Sequence, residues 1–239
     1  MTSISEKDES RRQFLRYLLS AGILATVQGC GTGGVTRSLP KPQELAAGKS
    51  IYQFKGDVRV NTQPVTLATL IKAGDVVETF DKNYVIFVVD KDAFILRSNS
   101  HMDIPTPTVT AGAFQLNKGK MLSVLASRTI QIKTPSAVIG IRGTGIYVES
   151  EPDRSYVCTC YGSADLATAD NPGINESIVS EHHDAPRYIL ADTSLTTRIQ
   201  PAPFKNHDDQ ELLLIETLVG RSTPYVVPRS PVRSRTTYF

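Results

Sequence analysis

Residues 129–160 read TIQIKTPSAVIGIRGTGIYVESEPDRSYVCTC. Four short runs rich in Val, Ile, Thr and Tyr lie in this stretch, at Thr129–Thr134, Val138–Ile141, Ile146–Ser150 and Tyr156–Cys160. β-Branched and aromatic residues favour strands, and the Gly, Pro, Asp and Ser residues between the runs favour turns. The stretch therefore predicts consecutive β-strands connected by short turns.

The same pattern extends back to residue 50. The further predicted strands are Ile51–Phe54, Val58–Asn61, Val65–Ile71, Val76–Phe80, Tyr84–Val89, Ala93–Arg97, Phe114–Leu116 and Met121–Ala126. Turn residues recur about every 8–12 positions, which is typical of β-sandwiches, barrels and short solenoids. We therefore expect an all-β fold, a sandwich or short solenoid of many short strands.

One helix is predicted near the C-terminus, within residues 206–220. Capping and acidic residues open it at Asn206–Glu211, leucine and isoleucine residues follow, and Gly220 ends it. The tail, residues 221–239, is rich in Pro and Arg and is expected to be flexible.

The N-terminal segment carries an export motif. Arg11 and Arg12 are followed by Phe14, Leu15 and the short apolar run Tyr17–Val27. A bilayer-spanning helix needs roughly 20 apolar residues, so this shorter run suits a signal peptide. The pattern predicts export by the twin-arginine pathway. The alternative is an amphipathic first helix with an incidental pair of arginines.

The predicted signal peptide, residues 1–30, ends at Cys30. Val27 and Gly29 match a lipid-attachment site, Gln28 departs from it, and a glycine-rich spacer follows. We expect a periplasmic protein that contacts the membrane only through a lipid anchor at Cys30. The alternative is ordinary cleavage nearby, which leaves an incidental thiol.

The composition excludes one class of partner. The chain has 239 residues, 40% hydrophobic, and a net charge of +2, part of which lies in the signal. A nearly neutral mature body does not favour binding to nucleic-acid phosphates.

Motifs spread between Ser50 and Tyr161 resemble the FecR domain, a periplasmic all-β domain. They lie at 56–58, 70–79, 98–100, 115–121, 132–137 and 141–148, the last reading IRGTGIYV. The resemblance covers about half of the chain and implies a FecR-like β domain. The resulting organisation is a linker at 31–48, the β domain at 49–165, a β and loop extension at 166–205, and then the helix and tail.

The FecR resemblance implies a function in sensing or binding. The best-known members are regulators that span the inner membrane, with a cytoplasmic segment that handles a sigma factor. This sequence is expected to lack that segment and a spanning helix, so the resemblance implies a stand-alone exported module. An envelope protein, a glycan or a small ligand would be its partner.

The strongest FecR-like motif contains Arg142, Gly143 and Thr144. Its glycines predict a bulge or sharp bend in a strand. Arg142 offers five hydrogen-bond donors that could tie loop carbonyls or a carboxylate together. The order of its glycines is not that of a dinucleotide-binding loop, so we interpret the motif as structural.

Two cysteines and two histidines lie within a short segment. Cys158 and Cys160 occupy positions i and i+2 of a predicted strand, so both thiols face one side, and His182 and His183 follow. This set predicts a site for a thiophilic metal such as zinc, iron or copper, with His207 as a further candidate ligand. The alternatives are buried thiols or a strained disulfide with surface histidines.

No familiar catalytic motif is present. The chain lacks the nucleophile elbow Gly-x-Ser-x-Gly, the zinc-protease motif His-Glu-x-x-His and a phosphate-binding loop. An enzyme would have to use Cys158 or Cys160 as nucleophile with His182 or His183 as base. The sequence favours a non-enzymatic binding or sensing protein, with a metal- or redox-responsive protein as the alternative.

Overall fold

The computed structural model of the chain describes residues 42–106 and 112–227. The strands of its first part are β1 Ile51–Lys55, β2 Val58–Val60, β3 Gln63–Pro64, β4 Val76–Thr79, β5 Tyr84–Val89, β6 Asp92–Leu96 and β7 His101–Asp103. Those of its second part are β8 Ala113–Val124, β9 Thr129–Lys133, β10 Ala137–Ser150, β11 Arg154–Thr168, β12 Asn175–Ser180, β13 Arg187–Leu190 and β14 Ile199–Pro201. A single helix in the described residues, α1 Asp209–Leu218, follows them.

The fourteen described strands form one hydrogen-bonded sheet. Its main path runs β14-β13-β11-β10-β9-β8-β7-β4-β2-β3, and β1, β5, β6 and β12 branch from it. Strands β8 and β9 pair in parallel and the other pairs are antiparallel. The all-β fold with one C-terminal helix is therefore confirmed.

The long strand β11 has a different neighbour on each edge. Strand β10 pairs along almost the whole of one edge. On the other edge, β13 pairs with residues Arg154–Val157 and β12 pairs with Gly162–Ala167. The loop 181–186, which joins β12 to β13, must therefore pass opposite Cys158–Tyr161. A hydrogen bond of 3.0 Å from the amide of His183 to the carbonyl of Cys160 holds the loop there.

The core is one cluster of buried apolar side chains contributed by most of the strands. Phe87 stacks on Phe94 at 5.0 Å between ring centroids, and Phe94 meets the edge of Phe114 at 4.9 Å. All three rings are buried. Such pairs add directional attraction to the free energy gained by burying the rings.

Helix α1 begins with a capping box. The Asp208 carboxylate accepts from the Glu211 amide, and the Glu211 carboxylate accepts from the Asp208 amide. Leu212, Ile215 and Leu218 are buried on one face of the helix, which packs on β6 and β8. The helix ends near Gly220, which has a positive φ of 70°.

The strand predicted at Val65–Ile71 is wrong, since these residues form turns and irregular loop. The Thr66 amide donates to the Thr69 hydroxyl at 2.9 Å, and the Ala68 amide donates to the Thr66 hydroxyl at 3.2 Å. These local bonds replace the ladder bonds of a strand.

Several predicted boundaries differ from the observed strands. The two runs predicted at 114–116 and 121–126 belong to the single strand β8, and the runs at 138–141 and 146–150 belong to β10. The predicted boundary between the β domain and its extension, after residue 165, falls inside β11. The remaining domain boundaries stay predictions.

The export motif at Arg11, Arg12, Phe14 and Leu15 lies outside the described residues, as do Cys30 and residues 228–239 of the tail. In the part of the chain that the structure describes, no helix is long and apolar enough to cross a bilayer.

Candidate metal centre

Both cysteines of the predicted pair lie at an irregularity in β11. Thr159 pairs with Ile146 and Tyr161 pairs with Gly145, so Cys160 is an extra residue opposite β10. Such a bulge redirects the side chains around it. Cys158 and Cys160 are free thiols and each is fully buried.

His183 reaches the cysteines from the loop 181–186. Its backbone has a φ of 56°, a left-handed conformation that residues other than glycine rarely adopt. Its Nδ1 lies 3.5 Å from the Cys158 sulfur, and its Nε2 lies 3.1 Å from Oδ1 of Asp209. The side chain is only 8% exposed.

His207 completes the cluster from the segment that precedes α1. Its ring is fully buried and stacks on Tyr147 at 4.5 Å. Its Nδ1 lies 2.8 Å from the carbonyl oxygen of Lys205, and its Nε2 lies 3.1 Å from Nδ1 of His183. Asn206, with a φ of 63°, makes the turn that places the ring.

The four candidate ligand atoms, Sγ of Cys158 and Cys160, Nδ1 of His183 and Nε2 of His207, therefore converge. Ligand atoms of these four residues all lie within 4.8 Å of one another. Zinc–sulfur bonds of about 2.3 Å and zinc–nitrogen bonds of about 2.0–2.1 Å predict S···N and N···N edges of about 3.6 and 3.3 Å in a tetrahedron. The observed S···N and N···N distances of 3.5 and 3.1 Å are close to these values.

The outer nitrogens of both rings have acceptors, which fixes the tautomers. The Lys205 carbonyl can only accept, so Nδ1 of His207 carries a proton, and the Asp209 carboxylate likewise requires a proton on Nε2 of His183. In neutral rings, Nδ1 of His183 and Nε2 of His207 then both lack a proton. Their lone pairs face each other, with 3.1 Å between the two nitrogens. This contact requires a cation between them, either a proton or a metal ion.

The electrostatics of the cluster favour a thiolate at one sulfur. Hydrogen bonding from the Cys160 thiol lowers the pKa of Cys158 to about 4, with help from His183 and His207 and against the effect of burial. Burial and the neighbouring Cys158 raise the pKa of Cys160 well above its ordinary value. Cys158 is the sulfur ready to bind a metal, because the thiolate is the ligand form.

A second group of polar side chains lies on the solvent side of His183. Nε2 of His182 is 2.9 Å from Oδ1 of Asp209, and the Tyr225 hydroxyl donates to the same oxygen at 3.0 Å. Burial raises the pKa of Asp209, but hydrogen bonds from His182 and His183 outweigh it and the net pKa is lowered. Asp209 is therefore a carboxylate that orients His183, as outer-sphere carboxylates do for metal-bound histidines.

The structure brings three of the four predicted ligands together. Cys158, Cys160 and His183 belong to the cluster, and His207, a further candidate in the sequence, takes the position predicted for His182. His182 is 52% exposed and faces Asp209 instead. The sequence indicates Asp209 only as an acidic residue at the start of the helix, and no sequence signal connects it with His183.

The motif at residues 142–144 shapes the strand, as the glycines predict. The pairing of β10 with β11 shifts between Arg142 and Gly145, and Gly143 has a φ of 57°. The Thr144 hydroxyl lies 3.0 Å from the carbonyl oxygens of Arg142 and Ser163. Arg142 itself is exposed and makes no side-chain hydrogen bond to the described residues, so Thr144 provides the tie suggested for Arg142.

The likeness of this chain to known proteins is one of fold. No family model matches the chain, and no curated protein matches it. Two crystal structures described as "a putative anti-sigma factor" from Parabacteroides distasonis ATCC 8503 are similar in fold, each with 12% identity and a TM-score of 0.45. Each alignment covers 57% of this chain and 62% of the other. This chain thus spans less than two thirds of those proteins.

Proposed function

We propose that this chain is an exported, non-enzymatic protein of the cell envelope that binds a thiophilic metal ion through Cys158, Cys160, His183 and His207. The observation that carries the proposal is the convergence of one ligand atom from each of these two buried cysteines and two histidines, all within 4.8 Å of one another. Zinc is the first choice because four N and S ligands in a closed tetrahedron are typical of its structural sites.

The charge of the cluster supports a divalent ion. Two thiolates and two neutral imidazoles carry two negative charges, which Zn²⁺ cancels. A neutral assembly suits a site whose sulfurs are fully buried, since an uncompensated charge there is costly. Copper(I) also accepts thiolate and imidazole ligands, but it would leave a net negative charge.

Metal binding would join three parts of the chain. Strand β11 supplies the cysteines, the loop 181–186 supplies His183, and the segment that leads into α1 supplies His207. Because binding free energy then becomes folding free energy, the bound and free forms differ in the stability of this region. A sensing protein needs such a difference between its two states.

The burial of both thiols supports the non-enzymatic part of the proposal. Cys158 and Cys160 are fully buried, so neither sulfur is accessible to a substrate as a nucleophile. The FecR-like motifs between residues 50 and 161 support the sensing role, and the twin-arginine motif supports export to the periplasm. Anchoring through Cys30 is part of the same proposal.

The test is metal analysis of the full chain purified without chelator. We expect stoichiometric zinc in the wild type and in the Cys30→Ser control, which removes the third cysteine. The double variant Cys158→Ser, Cys160→Ser should contain none and should show no zinc-dependent rise in melting temperature. Wild-type protein that neither retains zinc nor binds added zinc or copper(I) would overturn the proposal.

A second function, recognition of an envelope protein, glycan or small ligand, is favoured by one feature. Val226 is 93% exposed and lines a cavity of about 690 Å³. Ligand sites are concave and combine apolar side chains with a few polar groups. Crosslinking in the periplasm should capture a partner with the wild type and lose it with Val226→Lys. Equal capture by both would reject this surface.

A further inference from the structure

The proposed inner site has no direct opening to solvent through its ligands. Both cysteines and His207 are fully buried, and His183 is 8% exposed. An ion must nevertheless reach them in the folded protein if the site is to respond to metal. The contacts lead outward from Cys158 through His183 and Asp209 to His182, whose side chain is 52% exposed.

His182, His183 and Asp209 form a separate group of ligand atoms. An atom from each of the three lies within 4.8 Å of the others. Both imidazole Nε2 atoms contact the same carboxylate oxygen, at 2.9 and 3.1 Å. Two nitrogens and an oxygen are donors that Zn²⁺ accepts. His182 and Asp209 also line the cavity of about 690 Å³, which supplies room for the remaining water ligands.

His183 belongs to both groups, through Nδ1 inward and Nε2 outward. A neutral imidazole has one lone pair, so it can serve only one of the two groups at a time. The two sites are therefore alternatives for one ion. When the ion is outside, Nε2 is the ligand and the ring proton lies on Nδ1. When the ion is inside, Nδ1 is the ligand and the proton lies on Nε2, where it bonds Asp209.

We propose that His182 and Asp209, with Nε2 of His183, form an outer transit site through which zinc enters and leaves the buried Cys158–Cys160–His183–His207 site. This inference rests on the proposed function. The outer site is weaker than the inner one, because it has no thiolate and its ligand His182 is 52% exposed to water. The outer site affects the rates of metal exchange, and at equilibrium the ion lies at the inner site.

The experiment compares zinc exchange in the full-length wild type, the His182→Gln variant and the matched control His101→Gln. His101 is a partly exposed histidine that contacts Glu78 and Asp103 and lies outside both groups. Stopped flow follows two rates: zinc uptake by the protein, and zinc removal from the protein by a fluorescent chelator. Competition with the same chelator gives the equilibrium dissociation constant. Circular dichroism checks that each variant is folded.

We expect His182→Gln to slow uptake and removal by the same factor, so that both rates fall while the dissociation constant is unchanged. His101→Gln should match the wild type. Unchanged rates in His182→Gln would overturn the transit site while leaving the inner site intact. A weaker affinity caused by faster removal would make His182 a ligand of the bound state and would also overturn it. Failure of the wild type to bind zinc would remove the proposed function itself.

Discussion

Asp209→Asn should weaken zinc binding about ten- to a hundredfold, the usual effect of losing an outer-sphere partner. The Asp209 carboxylate accepts from Nε2 of His183 at 3.1 Å and thereby fixes the tautomer whose Nδ1 faces the cysteines. Asparagine keeps one acceptor oxygen but removes the negative charge that strengthens the imidazole as a ligand. The geometry is therefore retained while the affinity falls.

The size of this effect on stability follows from linkage. At free zinc of a hundred times the wild-type dissociation constant, binding stabilises the folded state by about 2.7 kcal/mol. At the same free zinc, a tenfold weaker variant gains about 1.4 kcal/mol and a hundredfold weaker one about 0.4 kcal/mol. The zinc-free forms should also differ, because the Asp209→Asn variant loses the carboxylate that bonds His182 and Tyr225 and its interaction with the helix N-terminus, the latter about 0.3–1 kcal/mol. The loss of zinc binding is therefore measured as the difference between unfolding with and without zinc.

The assay is competition with a chromophoric chelator, followed by urea unfolding with and without zinc. Asp165→Asn is the matched control, because Asp165 lies on β11 but is exposed and contacts Ser177, away from the cluster. Equal zinc affinity in Asp209→Asn and the wild type would refute the argument that Asp209 orients His183.

Two further predictions concern the framework around the site. Burial raises the pKa of Glu149, but the charge of Lys120 and hydrogen bonds from Lys205, Asn206 and Tyr147 outweigh it and lower the pKa from 4.5 to about 2. The ionised Glu149 therefore stabilises the folded state above the unfolded pKa, and this stabilisation is lost as pH falls toward 2. In urea unfolding, the free energy of unfolding of Glu149→Gln should decline less steeply than that of the wild type over this pH range. Equal slopes for the two proteins would contradict this. Gly145→Ala should lower the free energy of unfolding by about 1–3 kcal/mol through overpacking, since the added Cβ would lie 2.4 Å from Cε1 of Tyr161. Gly140→Ala, whose Cβ would meet Asp165 at 3.7 Å, is the control on the same strand, and equal costs would reject the steric explanation.

Local patterns in the sequence were sufficient for most of the strands and for the helix. The runs of Val, Ile, Thr and Tyr at 129–160 predict strands because β-branched and aromatic side chains suit a pleated, half-buried surface. The strand predicted at Val65–Ile71 is wrong because the hydroxyls of Thr66 and Thr69 accept hydrogen bonds from nearby backbone amides. The apolar residues of the segment, on which the prediction is based, do not indicate these bonds.

The candidate site was predictable only in part, because its assembly depends on strand pairing. Spacing in a strand was enough to pair Cys158 with Cys160. The choice of His183 over His182 depends on the loop 181–186 passing opposite the gap between β12 and β13 on β11. The inclusion of His207 depends on where α1 docks. Neither relation is local in sequence, so both required the structure.

X-ray absorption spectroscopy of the zinc-loaded full chain tests the central claim most directly, because it counts the atoms bound to the metal. Coordination by Cys158, Cys160, His183 and His207 predicts two sulfur atoms at about 2.3 Å and two imidazole nitrogens at about 2.0–2.1 Å. A shell of oxygen and nitrogen without sulfur would contradict the claim.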